Sequence, residues 1–208
     1  EGKLFMTDTG GHYLEGSTDI TRTVALGEVG NIEKEHFTLV ARAMLRLANT
    51  VFLYGCSGAN LDCIAREVFW KEGLNFNHGT GHGVGYLLNI HEGPINFRWK
   101  EGERPAPALE ENMVITDEPG IYIEGSHGIR LENELLVRKT VKNEYGQFMN
   151  FEILTYVPID LDAILPEKMS TEEKEMLNHY HKQVYEKVSP YLSEEERIWL
   201  KEYTRAVK

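Results

Sequence analysis

Four carboxylates stand where strand-like segments should carry apolar side chains. Asp8 ends the run KLFMTDT, Asp19 lies within TDITRTVAL, Glu118 interrupts MVITDEPGIYIE, and Glu132 interrupts GIRLENELLVRKT. Aspartate is depleted from strands, and an ionised carboxylate is costly to bury unpaired. Singly, each would read as a turn or surface residue; together, four such groups need cations to share. His82 adds an imidazole, and the glycines bracketing it in HGTGHGVG remove side chains that would crowd a metal or substrate approaching the backbone. This oxygen-rich set suits Mn2+ or a similar hard divalent ion better than a thiolate-loving metal. Two such ions would balance the four negative charges, giving a near-neutral site able to hold a hydroxide.

Other chemistries fit less well. His78 and His82 have the spacing of a helical zinc pair, but glycines through that stretch rule out a regular helix. No G-x-G-x-x-G register fits there, so it is not a dinucleotide fingerprint. Asp8-Thr9-Gly10 matches an aspartic-protease triplet, but the chain holds no second copy to complete a dyad, and Glu118 and Glu132 would go unexplained.

The elements that must position these groups are legible from pattern. The two opening strands read as a β-hairpin with a long loop, GGHYLEGS, between them. A helix follows, capped by Asn31, with Phe37, Val40, Ala41, Met44, Ala48, Val51 and Phe52 at helical spacing. A second carries Leu61, Ile64, Ala65, Val68 and Phe69 on one face and is ended by Gly73. The stretch from Asn77 to Gly93 is loop or irregular strand, and a proline-containing loop, ERPAPALEEN, precedes the strands that carry Glu118 and Glu132; NFEILTYVPI is another strand. The fold class is α+β.

Residues 1–157 read as the catalytic domain and 158–208 as a helical extension. Two capping boxes, Ser170 with Glu173 and Ser193 with Glu196, each open an amphipathic stretch. Met176, Leu177, Tyr180, Val184 and Val188 form one stripe, and Trp199, Leu200, Tyr203 and Val207 another.

Composition bounds the rest. A net charge of −11 with no Lys/Arg cluster argues against a nucleic-acid partner. The sequence has neither an apolar run of membrane-spanning length nor a signal-like start, so the chain reads as soluble and cytoplasmic. Cys56 and Cys63 read as small buried or half-buried thiols.

The segments DTGGHYLEGSTDITRT, HGTGHGVG, TDEPGIY and GIRLEN, in this order, with 11 residues from Asp8 to Asp19 and 14 from Glu118 to Glu132, resemble the successive signatures of the pita-bread metallopeptidases. Among them the chain is most similar to the cytosolic Xaa-Pro aminopeptidases. The resemblance implies a pita-bread fold lacking its N-terminal portion, and hydrolysis that releases the first residue of peptides with proline second. It implies two metal ions, most simply Mn2+: Asp8 on one, His82 and Glu118 on the other, Asp19 and Glu132 bridging both. Glu118 would also relay a proton, His78 and His91 would act on the scissile region and the proline side, and Arg130 and Tyr122 would orient the carboxylates. It further implies an upstream part of the same enzyme, carrying one more active-site histidine, and a homodimer whose interface buries the tail's apolar stripes. Dipeptide-cleaving prolidase is the neighbouring reading; a metal-free binding module or an inactive fragment is the non-enzymatic one.

Overall fold

The computed structural model describes residues 3–100 and 106–208. Strand β1 (Lys3–Tyr13) pairs antiparallel with β2 (Gly16–Leu26), and only Leu14 and Glu15 lie between them. The loop expected over GGHYLEGS is therefore mostly strand. Gly10 and Gly11 remain in β1 because they pair in register with Asp19 and Thr18. The same register sets Asp8 opposite Thr21, so both aspartates project from one face of the hairpin.

Helix α1 (Asn31–Ala48) buries Phe37, Val40, Ala41, Met44, Leu45 and Ala48. Its cap is Gly30, with no side-chain capping bond. Asn31 is already inside the helix and donates to Glu35 instead, which corrects the expected start by one residue. The helix also stops short of Val51 and Phe52; Phe52 begins the short strand β3 (Phe52–Leu53). Helix α2 (Gly58–Trp70) opens with a Ser57/Asn60 capping box and packs on α1. Gly73, with φ +69, closes the turn after it.

The glycine-rich stretch holds one two-residue strand, β4 (Gly81–His82), paired with β5 (Asn96–Phe97). A Cβ at Gly81 would run into the carbonyl of Thr116, so the loop can lie against the next strand only because no side chain intervenes. Of the expected proline-containing loop, residues 103–105 fall outside the described residues.

Next come β6 (Val114–Asp117), β7 (Gly120–Ile123), β8 (His127–Arg130), β9 (Asn133–Asn143) and β10 (Gly146–Ile153). The main sheet runs β3-β10-β9-β6, and β7 with β8 forms a separate ribbon. Asp117 pairs with Asn133, and Gly120 with Arg130. The same register would set Glu118 opposite Glu132. The pairs β6–β9 and β7–β8 are thus parts of one long hairpin, broken where Pro119 has no N–H to donate. In the break, the Glu118 amide donates to the Thr80 carbonyl and the Glu132 amide to the Thr21 carbonyl. The two glutamates therefore sit between strands rather than within them, facing each other where the ladder hands over to its neighbours.

The tail forms α3 (Thr171–Val188) and α4 (Glu194–Tyr203), and both expected capping boxes are present. Leu177, Tyr180 and Val184 are buried within the chain, not held out for a partner, because α3 packs on α1. The capping glutamate Glu173 also ion-pairs with Arg42 of α1 at 2.9 Å. Of the α4 stripe only Leu200 is buried, while Trp199 is exposed. Cys56 is half-buried and Cys63 exposed, so the expectation of covered thiols holds for the first alone. No described helix is long and apolar enough to cross a membrane.

Candidate metal centre

Hairpin β1–β2, the glycine-rich loop and the break in the long hairpin converge on one polar cleft. Three overlapping groups of donor atoms occur there: Asp8, Asp19 and Glu132; His82, Glu118 and Glu132; and Asp19, His82 and His91, with the atoms of each group within 4.8 Å of one another. His82 Nε2 lies 3.4 Å from Glu118 Oε1 and 3.6 Å from Asp19 Oδ2. All five residues expected as ligands are brought together. His91, expected to face substrate, stands edge-on to His82 with ring centroids 4.3 Å apart, close enough to donate a nitrogen itself.

Electrostatics show what the cluster lacks. Burial, then the negative charges of Glu118 and Asp19, pushes Glu132 up to about 8. Burial pushes Glu118 up to about 7, and burial with Asp8 nearby raises Asp19. Nearby positive charge is too little to offset burial and mutual repulsion, so the ionised form is disfavoured at all three carboxylates, most strongly at Glu132. Oxygen donors in close groups, short of counter-charge and joined by an imidazole, are the donor set that hard divalent cations satisfy, so the residues present fit two such ions.

Arg130 supplies the nearest permanent cation. It hydrogen-bonds Asp8 through Nη2, Tyr122 through Nη1 at 3.0 Å, and Thr21 through Nε at 3.2 Å. Burial works against its charge, but the bonds to Tyr122 and Asp8 outweigh that and raise its pKa. Tyr122 Oη lies 3.0 Å from His78 Nε2, and His78 Nδ1 lies 2.6 Å from the Gly79 carbonyl. That carbonyl can only accept, so Nδ1 carries the proton and Nε2 receives the tyrosine hydroxyl. Burial lowers the His78 pKa, keeping the ring neutral and consistent with this direction of donation. His78 borders the cleft beside the donor groups instead of joining them.

The model of metallopeptidase family M24 matches residues 1–139, and that for the C-terminal region of peptidase M24 matches residues 147–207. The chain belongs to metallopeptidase family M24. It is 40% identical over 209 residues to a probable Xaa-Pro aminopeptidase P of Paracoccidioides brasiliensis (strain Pb03), covering 98% of this chain and 34% of that protein. It is 39% identical to one of Aspergillus flavus, covering 98% and 32% respectively. Among solved structures it is similar to the X-prolyl aminopeptidase of Caenorhabditis elegans, described as a cytosolic enzyme with a di-nuclear active site, with TM-score 0.91, 37% identity, and coverage of 98% of this chain and 34% of that one. The prolidase of Pyrococcus horikoshii OT3 is similar at TM-score 0.63 and 33% identity, covering 77% and 42%. The chain spans about a third of the length of the curated relatives it matches. Its fold is the α+β pita-bread fold the motifs implied.

Several residues that shape the cleft of this M24 chain escape a reading by motif. Thr21 Oγ1 donates to Glu132 Oε2 at 2.8 Å. Glu134 accepts the Asp19 amide at 3.0 Å, and burial pushes its own carboxyl up to about 7; its place two residues after Glu132, on the same strand face, was the available signal. Asp62 and Arg66 of α2 form a fully buried ion pair at 2.6 Å. Arg66 donates to the carbonyls of Phe76 and His78, and Asp62 accepts from Thr80 and from the Trp99 amide, so the pair fixes the backbone that carries His78 and leads to His82. Charged residues four apart on an otherwise apolar helix face were the sequence signal for that pair. Asp117 is fully buried, and among the described residues neither of its carboxyl oxygens finds a hydrogen-bond partner. Burial, reinforced by Glu118, Glu132 and Asp62, holds its pKa well above the usual carboxylate range.

Proposed function

We propose that this chain is the metal-bearing part of an Xaa-Pro aminopeptidase, removing the first residue from peptides with proline second. The observation that carries the reading is the joint presence of the clustered donor set and a match to aminopeptidase P relatives running through the tail. Bound at the cluster, two divalent ions, taken as Mn2+ from the oxygen-rich donors, supply Lewis acidity and lower the pKa of a water. Asp8 would hold one ion, His82 and Glu118 the other, and Asp19 and Glu132 would serve both. Glu118, beside His82 in the cluster, is the carboxylate that would take a proton from the attacking water and return it to the leaving amine. Neutral His78, held by Tyr122, and His91 flank the same cleft and contact the scissile region and the proline side. Arg130 fixes Asp8 and Tyr122 so that these groups keep their mutual geometry.

The test is Mn2+-dependent hydrolysis of Arg-Pro-Pro and Arg-Pro, using this chain beside a form carrying the upstream portion of its full-length protein. Release of Arg from the tripeptide, abolished by chelator, is expected of the longer form. Preference for the dipeptide would instead establish prolidase activity, and silence toward both peptides with metal bound would sink the enzymatic reading.

The reading includes a cytoplasmic homodimer. With Leu177, Tyr180 and Val184 of α3 buried inside the chain, exposed Ile198 and Trp199 of α4 offer an apolar surface in the tail. Sedimentation at micromolar concentration is expected to show a dimer that Trp199→Glu dissociates; a monomer before substitution would remove this part of the proposal.

A further inference from the structure

The helical tail reaches the metal cluster through one buried arginine. Along β2, Asp19 and Thr21 point toward the cluster while Arg22, by strand alternation, points to the opposite face. Arg22 is buried and its partners are neutral: Nη1 donates to the carbonyls of Glu132 at 2.5 Å and Thr21 at 2.9 Å. Nη2 donates to Asn133 Oδ1 at 2.7 Å, the Val157 carbonyl at 2.9 Å and Tyr180 Oη at 2.8 Å, and Nε donates to the Pro158 carbonyl at 3.2 Å. Tyr180 lies on α3, is itself buried, and donates its hydroxyl to the Val157 carbonyl at 2.7 Å. Beside it, His181 Nε2 accepts the Ile159 amide at 3.0 Å, and Asp160 accepts the Ala25 amide of β2 at 2.8 Å.

Glu132 is thereby fixed at three atoms by two adjacent residues of β2. Its carboxylate is held by the Thr21 hydroxyl, its amide by the Thr21 carbonyl, and its carbonyl by Arg22. A guanidinium with five donors in a rigid fork keeps one orientation only while its acceptors remain in place. Tyr180 is one of those acceptors and also secures a second, the Val157 carbonyl.

We propose that Tyr180, acting through Arg22, is a positioning residue for Glu132, so that the C-terminal extension is a working component of the metal site; this rests on the reading of Glu132 as a metal ligand. Tyr180→Phe keeps the ring and deletes the hydroxyl. In the 208-residue chain it is expected to speed hydrogen exchange at the Glu132 amide and to weaken Mn2+ binding by about tenfold, the scale seen when a group supporting a metal ligand is lost. Val184→Ala, on the same buried face of α3 and outside the network, is the packing control and is expected to lower the melting temperature while changing neither readout. Unchanged exchange and affinity in a folded Tyr180→Phe chain would overturn the proposal, as would equal changes in Val184→Ala. If Tyr180→Phe does not fold, Arg22→Lys, which retains the charge without the fork, is read in the same way: faster exchange at Glu132 supports the proposal and unchanged exchange overturns it. Failure of the unsubstituted chain to bind Mn2+ would sink the metal reading instead, and exchange at Glu132 would still decide the positioning role.

Discussion

Glu132→Gln is expected to weaken Mn2+ binding by at least about 100-fold while leaving the metal-free chain folded, because loss of a group that merely supports a ligand already costs about 10–100-fold. Glu132 is the carboxylate shared by the Asp8/Asp19 group and the His82/Glu118 group, so its charge serves both positions. Glutamine preserves size and can still accept from Thr21, so the change removes charge with little repacking. The sign of the accompanying stability effect sharpens the test. Burial beside Glu118 and Asp19 already disfavours the ionised form of Glu132, so a neutral side chain there should raise the melting temperature of the metal-free chain at pH 8. Calorimetric titration and a thermal melt read the two effects separately. Unaltered Mn2+ affinity would remove Glu132 from the metal site, and a fall in metal-free stability would show that its charge is already compensated. Asp8→Asn is expected to have the smaller effect on metal-free stability, since Asp8 is exposed and paired with Arg130.

That Glu132 could be singled out at all comes from the sequence, but its setting does not. Carboxylates in four strand-like runs and a histidine between glycines are local anomalies, visible one segment at a time. The capping boxes at Ser170 and Ser193 are equally local and appear as expected. What local pattern cannot show is where a ladder stops. MVITDEPGIYIE and GIRLENELLVRKT read as two strands, yet each is divided, because Pro119 cannot donate and the amides of Glu118 and Glu132 turn to other elements. The hairpin loop is shorter than composition implies for a related reason: Gly10 and Gly11 signal a turn but serve as small residues within a strand, opposite Asp19 and Thr18. Buried polar residues are least legible. Arg22 and Tyr180 owe their roles to partners distant in the chain, and no spacing rule announces a guanidinium that links β2, residues 157–158 and α3.

The same surplus of negative charge makes the metal-free protein sensitive to pH in a direction opposite to ordinary acid denaturation. Glu118 and Glu134 titrate near 7 and Glu132 near 8, all raised above the ordinary glutamate value, with burial the leading cause in each. A carboxyl whose folded pKa is raised contributes stability that is complete below its unfolded pKa and is lost as pH climbs through the folded one. Between pH 6.5 and 8 the metal-free chain should therefore lose on the order of 2 kcal/mol, allowing for partial solvent screening of Glu118. That corresponds to a melting temperature lower by roughly 4–8 °C for a chain of this size. The buried histidines act with the opposite sign and are half titrated in the unfolded chain at the lower bound of this window, so they offset a minor part of the loss. Burial lowers the pKa of His36 and His78 and takes His181 down to about 4, so their contribution is full above the ordinary histidine value and is lost as pH falls through it. Divalent metal should cancel the slope, because the ligands must be ionised to bind and the bound cations keep them so. Saturating Mn2+ is thus expected to raise the melting temperature more at pH 8 than at pH 6.5, with proton release on binding at the lower pH, read from the buffer dependence of the calorimetric heat. A metal-free melting temperature that is flat or rising over this window would mean that the cluster already holds its compensating charge without metal, and the electrostatic argument for a cation-dependent site would fail.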